Sequence, residues 1–236
     1  MTHPVLARMR DSDPRVRKQA CREAADDPSA VLLVDALDEA LADPDAGVRQ
    51  AASDALARLA PDHGIVSEVL RRALHGDDRR RRWAAAFAKA RLAPPDPGLL
   101  PVLVDALAAP EPDVRWAAAR ILVDLGRLHR EALPVALGLA RGDPNPVVRR
   151  MALFCLRELA PEEPATLEVL LEASRDHDPR LRRAALSSIA ALETPPAAIV
   201  ERLTRLRESD PDRVVRRLAE TALALGSDQN IKASSE

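Results

Sequence analysis

The sequence predicts an all-α fold, a stack of about seven two-helix repeats, and three observations carry that expectation. A short phrase returns along the chain at a nearly constant interval. Apolar stretches of helix length precede the phrase from its second copy onward. The apolar residues themselves are of one kind: they make up 47% of the chain, yet aromatics are only 2%.

The phrase is an acid or amide, usually a proline, then Val-Arg and Ala. Its first copy is Asp13-Pro14-Arg15-Val16-Arg17. Later copies include Glu111-Pro112-Asp113-Val114-Arg115, Asn145-Pro146-Val147-Val148-Arg149 and Asp178-Pro179-Arg180-Leu181-Arg182. Looser copies end at Arg49, Arg82 and Arg216, so the recurring arginines stand 32 to 34 residues apart. A fixed period of this size marks a repeat architecture.

Each part of the phrase has a local physical role. Asp13, Asp45, Asp78, Asn145, Asp178 and Asp212 stand four residues before their arginine. Asp and Asn cap helices, because the side chain accepts from free amides of the first turn. Pro14, Pro112, Pro146 and Pro179 follow at the first helical position, where the missing N–H has no helical partner to lose. The phrase therefore opens a helix, here called B. The preceding apolar stretches, such as Val31 to Leu41, Ile65 to Leu74, Leu99 to Leu107 and Leu167 to Ala173, form helix A. The first repeat is truncated, since Pro4 to Arg10 leaves room for only a short helix A. One solenoid domain over 1–226 is expected, followed by a disordered polar tail over 227–236.

Composition agrees. A core of Ala, Leu and Val suits closely packed helices and suits a β-sandwich badly, because strands favour aromatic and β-branched residues. The net charge is −2, from 35 basic and 37 acidic residues, which gives no bulk attraction to nucleic acid or an anionic membrane. Nearly all the positive charge is arginine, lysine being confined to Lys18, Lys89 and Lys232. Cys21 and Cys155 fall in repeats one and five, too far apart for an internal disulfide, and read as small core residues. Residues 1–10 hold no apolar run of signal-peptide length, and no stretch reaches the length of a membrane span. A cytoplasmic protein without membrane contact is expected.

The Asp-Pro-x-Val-Arg-x-x-Ala phrase resembles HEAT repeats, especially the short HEAT-like type of the phycobilisome lyases. The resemblance covers residues 1–226 and implies a right-handed α–α superhelix, a HEAT-like solenoid. It also implies a ladder between repeats, in which Asp13, Asp45, Asp78 and Asp178 pair with the recurring arginines. Glu111 and Asn145 depart from that pattern, so the ladder is expected to be imperfect in mid-chain. The arginines of the phrase are read as structural.

Where a partner would sit follows from helical geometry. Counting from the recurring arginine, positions −1, +3, +7 and +10 share one face. They are Val114, Ala118, Leu122 and Leu125 in repeat four, Val148, Ala152, Leu156 and Leu159 in repeat five, and Leu181, Ala185, Ile189 and Leu192 in repeat six. That face is the core. Positions +1, +5 and +8 lie opposite, on the side that HEAT-like solenoids expose on their concave surface. All four aromatics fall there: Trp83, Phe87, Trp116 and Phe154, among Arg120, Arg150 and Arg183. Trp and Arg are enriched at binding hot spots, so these seven residues are the candidate partner site. Repeat three breaks the core pattern, with Arg81 at −1 and Lys89 at +7. A rotated helix there would carry Trp83 and Phe87 inside, and Trp116 or Phe154 could pack against a neighbouring helix B. The run Arg79 to Arg82 opens a helix against its dipole. It reads as a solvated basic corner paired with acids such as Asp77 and Asp78, or as a hint of an anionic partner.

Catalytic chemistry has no signature. His3, His63, His75, His129 and His177 do not pair with another His, Cys or Glu at metal-ligand spacing, and the His-Glu pairs of HEAT-repeat di-iron hydroxylases are missing. Phosphate-binding glycine loops and a nucleophile elbow are likewise missing. No catalytic residue, metal or cofactor is expected. The leading expectation is a non-catalytic scaffold that binds a protein or peptide on the concave face. The alternatives are binding of an anionic polymer, nucleic acid or acidic protein, through the Arg/Trp stripe, and a bilin lyase-like enzyme by analogy with the repeat family.

Overall fold

The computed structural model describes residues 3–92 and 96–233, with side chains as far as residue 226. Those residues form fourteen α-helices and two 3₁₀ turns, with no strand among them. The chain divides into two compact units, Met1–Ala106 and Leu107–Glu236.

In the first unit the A helices are α1 (Pro4–Met9), α3 (Val34–Ala40, entered through a 3₁₀ turn at Ala30–Leu33), α5 (Gly64–Leu74) and α7 (Leu100–Ala106). The B helices are α2 (Pro14–Ala24), α4 (Ala46–Leu59) and α6 (Arg79–Leu92). Each A helix of the first three repeats packs on its own B helix. Neighbouring B helices pack side by side, α2 on α4 and α4 on α6. The second unit holds α8 (Pro112–Leu128), α9 (Ala132–Gly142), α10 (Pro146–Leu159), α11 (Pro164–Ala173), α12 (Pro179–Ile189), α13 (Ala197–Ser209) and α14 (Arg213–Ala233). There α8, α10, α12 and α14 form the B layer, and α9 packs on α11 in the A layer. The polar tail expected over 227–236 lies outside the residues whose side chains are described.

The phrase opens helix B at each repeat as expected. Asp13 accepts from the Arg15 amide at 2.8 Å, Asp45 from Val48 at 3.0 Å, Asp78 from Arg81 at 2.9 Å, and Asp178 from Arg180 at 2.8 Å. Asn145 and Asp212 do the same for Val147 and Val214. The core face is buried as read in α8, at Val114, Ala118, Leu122 and Leu125, and in α12, at Leu181, Ala185 and Ile189 with Leu192 just beyond it; in α10 Val148, Ala152 and Leu156 are buried, and Leu159 only partly so. Burying one such leucine contributes about 1.5–3 kcal/mol. Alanine does a second job, letting the B helices approach closely. Ala118, Ala119, Ala152 and Ala185 are all 1% exposed or less. Small polar side chains tie those helices laterally. Cys155 Sγ donates to the Ala119 carbonyl at 3.7 Å and Ser188 Oγ to that of Leu153 at 3.4 Å, each reaching the B helix one repeat earlier.

The ladder runs through different acids from those the resemblance implies. The capping carboxylates are occupied by first-turn amides. The acid two residues before the cap faces the previous repeat instead. Asp43 takes Arg17 at 2.7 and 2.9 Å, Asp176 takes Arg149 at 2.8 Å, and Asp210 takes Arg182 at 2.8 Å through both oxygens. In the same acids one oxygen also accepts the cap residue's own amide at 2.8 Å, as Asp43 does for Asp45. The arginines fold back as well. Arg17, Arg49, Arg82, Arg115, Arg182 and Arg216 donate Nη1 to the carbonyls five and six residues upstream, closing the turn between A and B.

The basic run also pairs differently from expectation. Arg79 pairs with Asp105 at 2.6 Å and Arg81 with the buried Asp38, rather than with the side chains of Asp77 and Asp78. Asp38 lies on α3 and Asp105 on α7, so the run fastens α6 to two A helices.

Candidate functional site

Of the seven sequence-predicted site residues, the structure removes two from the surface. Trp83 and Phe87 are buried in the first unit, at 4% and 7% exposure. Helix α6 nevertheless keeps the register of the other B helices, with Ala85 at +3 fully buried. Its Arg81 leaves the core face for Asp38, and the Trp83 indole N–H donates to Asp105 at 2.9 Å. The Arg79 guanidinium covers the Trp83 ring, 5.3 Å from its centroid.

Trp116, Arg150 and Phe154 stay together, in the second unit. Trp116 sits in the second turn of α8 and is 46% exposed. Its ring meets Phe154 of α10 edge-to-face, with centroids 4.9 Å apart and planes at 86°. That geometry sets the positive edge of one ring on the negative face of the other. Arg157, one turn on from Phe154, lies over the Phe154 ring at 5.0 Å and is tied to Glu158 at 2.7 Å. The two rings form one wall of a cleft of about 390 Å³, floored by Met151, Ala184, Ser187 and Ser188 and rimmed by Arg115, Arg150 and Arg157. No carboxylate lines it. Arg115 is fixed by the Ala109 and Pro110 carbonyls at 2.6 and 2.8 Å.

Phe154 also borders a second, shallower cleft with Arg120, Val123, Asp124, Arg127 and Glu158. Arg120 is therefore adjacent to the main cleft, not in it. Arg183 is elsewhere, pairing with Asp212 of the next repeat. That pair, with the Val214 and Val215 amides, holds the Asp212 carboxyl down to about 2.

Sequence reasoning missed Arg115, Met151, Arg157 and Ser188. Arg157 carried a signal: it stands at position +8 of repeat five, on the same stripe as Arg150 and Phe154. Arg115 carried none, because its place in the phrase marks it as structural, and it is structural as well. Burial lifts both thiols, Cys21 and Cys155, to about 12, so neither supplies thiolate at neutral pH. Among the described residues no three His, Cys, Asp or Glu gather as a metal-binding group, and no helix is long and apolar enough to cross a membrane.

Paired helices stacked in two layers, with an aromatic and arginine cleft on the B layer, define an α-helical repeat protein. The model of HEAT repeats matches residues 2–90, 67–157 and 133–224, and the chain belongs to that family. None of the curated proteins matches the sequence. Among solved structures, importin beta aligns with TM-score 0.62 at 19% identity, over 98% of this chain and 34% of its own. Kap95p, studied for its binding to RanGDP, aligns with TM-score 0.57 at 16% identity, over 95% of this chain and 36% of its own. The chain thus spans about a third of either protein, and the likeness is one of fold alone. The phycocyanin lyase complex CpcE–CpcF of Nostoc aligns at TM-score 0.40 and 22% identity, over 95% of each chain.

Proposed function

We propose that this protein is a non-catalytic interaction module that docks a protein or peptide segment in the cleft between α8, α10 and α12. The observation that carries the reading is the exposed Trp116, held edge-on against Phe154 above an opening that three arginines rim and no carboxylate enters. A half-exposed tryptophan beside arginines is the residue chemistry of a hot spot. Its placement on rigid helices rather than loops keeps the cleft formed before binding, which lowers the ordering cost. The fold supports the reading, since stacked repeats offer extended surfaces rather than enclosed pockets.

The test places a photoreactive phenylalanine analogue at Ser187, which is exposed and lines the cleft. Irradiation in the source cells should give a discrete cross-linked protein band, lost when Trp116 is changed to Ala. The same probe at exposed Arg207 on α13 should not give that band. If cross-linking is equal with and without Trp116, the cleft is not the docking site.

A further inference from the structure

The chemistry of the cleft says what kind of segment fits it. We infer that the occupant is a short acidic peptide segment with one bulky apolar side chain set between its carboxylates; this rests on the cleft being a docking site. Five arginines border the two clefts that share Phe154: Arg115, Arg120, Arg127, Arg150 and Arg157. Only two carboxylates accompany them, and each is taken by an arginine of its own helix, Asp124 by Arg127 at 3.1 Å and Glu158 by Arg157 at 2.7 Å. Among the described residues Arg150 and Arg120 have no ion-pair partner. This local excess of positive charge stands in a chain whose net charge is −2.

The apolar part is equally specific. Trp116, Met151, Phe154 and Ala184 line a space of about 390 Å³, room for one large side chain and its flanking backbone rather than a folded surface. Guanidinium groups at the rim then meet carboxylates on either side of that anchor, in charge-assisted hydrogen bonds. A nucleic-acid strand fits less well. Base stacking needs open ring faces in succession along a cationic track. Here the two rings stand at 86° to each other, so they offer no parallel succession of faces, and Arg157 lies over the Phe154 ring.

The test uses the full chain and five fluorescein-labelled probes in fluorescence anisotropy, the fifth a lysine-flanked counterpart of the first. The first is a peptide of about 11 residues, long enough when extended to cross the three B helices that line the cleft, made of glutamates around a central leucine. The second replaces the leucine by serine, the third replaces the glutamates by glutamines, and the fourth is an oligothymidylate. The first should bind on the order of tenfold tighter than each of the others, with Trp116→Ala and Arg150→Gln each weakening it by a similar factor. Arg150→Glu should lose the first probe and gain a lysine-flanked counterpart, a reversal that misfolding cannot produce. Equal affinity for the glutamine peptide overturns the acidic requirement, equal affinity for the serine peptide overturns the apolar anchor, and preference for the oligonucleotide overturns the peptide occupant. If no probe binds while Ser187 still cross-links a protein, the acidic class is wrong and the docking site stands. If both fail, the docking site falls too.

Discussion

At the residue scale, the recurring arginine is a fastener with two grips. One grip closes its own turn, and the other crosses to the acid of the next repeat. Arg182 and Asp210 show the deepest case: the pair is bidentate at 2.8 Å, and both side chains are under 10% exposed. Removing one partner leaves a buried charge with no counterion, so Arg182→Ala or Asp210→Ala should cost about 3–5 kcal/mol, whereas an apolar pair in their place should cost far less. Guanidinium unfolding of the three variants checks this; equal losses for the single and double replacements would show that packing, not charge, holds the site. Asp43, Asp105, Asp176 and Asp212 set the pH response. Burial raises the Asp43, Asp105 and Asp176 carboxyls, but hydrogen bonds from arginines, joined by a backbone amide at Asp43 and Asp176 and by the Trp83 indole at Asp105, outweigh it and bring all three below the ordinary value. Asp212 is held at about 2, against 3.8 for a free side chain. A depressed folded value means that the unfolded chain binds protons first as pH falls. These acids therefore contribute in full above pH 3.8, and their contribution is lost as pH drops below that value, for Asp212 toward about 2. Melting temperature measured across that range should be flat above it and fall steeply within it. The capping acids were legible in the sequence because a cap is a local event. The ladder acids were not, since two carboxylates stand within three residues and only the register between repeats decides which one faces the neighbour.

At the scale of one element, the face of helix B is where the sequence reads best and also where it fails. The −1, +3, +7 and +10 pattern placed the α8 and α12 cores correctly, because 3.6-residue periodicity is intrinsic to the helix. In α6 the same pattern is broken by Arg81 and Lys89, yet the helix keeps its register, with Ala85 at +3 fully buried, and Trp83 and Phe87 are buried as well. The burial of Trp83 depends on Asp105, which stands on α7, takes the indole N–H and shares no local pattern with α6. The cleft was half legible for a similar reason. Trp116, Phe154 and Arg150 follow from the stripe, but Met151 and Ser188 reach it only through the spacing of adjacent B helices. That spacing is set at points such as Gly126 of α8. A Cβ there would lie 2.6 and 2.9 Å from the two Leu159 methyls of α10 and 3.2 Å from Ala132. Gly126→Ala gains about 1 kcal/mol in helix propensity, yet overpacking should cost about 1–3 kcal/mol, for a net loss. Adding Leu159→Ala should recover part of it, a non-additivity that a double-mutant cycle measures. A more stable Gly126→Ala protein would mean that Leu159 swings aside at no cost.

At the scale of the whole molecule, the period counts repeats and does not mark where packing divides. Seven B helices appear where seven phrases stand, yet the division between Ala106 and Leu107 falls inside the fourth repeat, after its A helix. Sequence periodicity reports what each repeat is, whereas compactness depends on how many neighbours each helix finds. Helix α7 is only seven residues long and packs on α6, so it is claimed by the unit before it. A repeat protein held by nearest-neighbour interfaces does not owe its stability to one global core. Its unfolding can therefore depart from a single two-state step. Breaking the Arg182–Asp210 pair is the sharpest way to ask. Hydrogen exchange of Arg182→Ala, followed by mass spectrometry, should show protection lost first in α12, α13 and α14 and next in α10, with α2 and α4 keeping the wild-type rate. The cleft lies on α8, α10 and α12, so the same variant should loosen Ser187 and Ser188 and weaken binding there without touching Trp116. If α2 and α4 lose protection in step with α12, the two units unfold as one cooperative body, and the nearest-neighbour account of this chain is wrong.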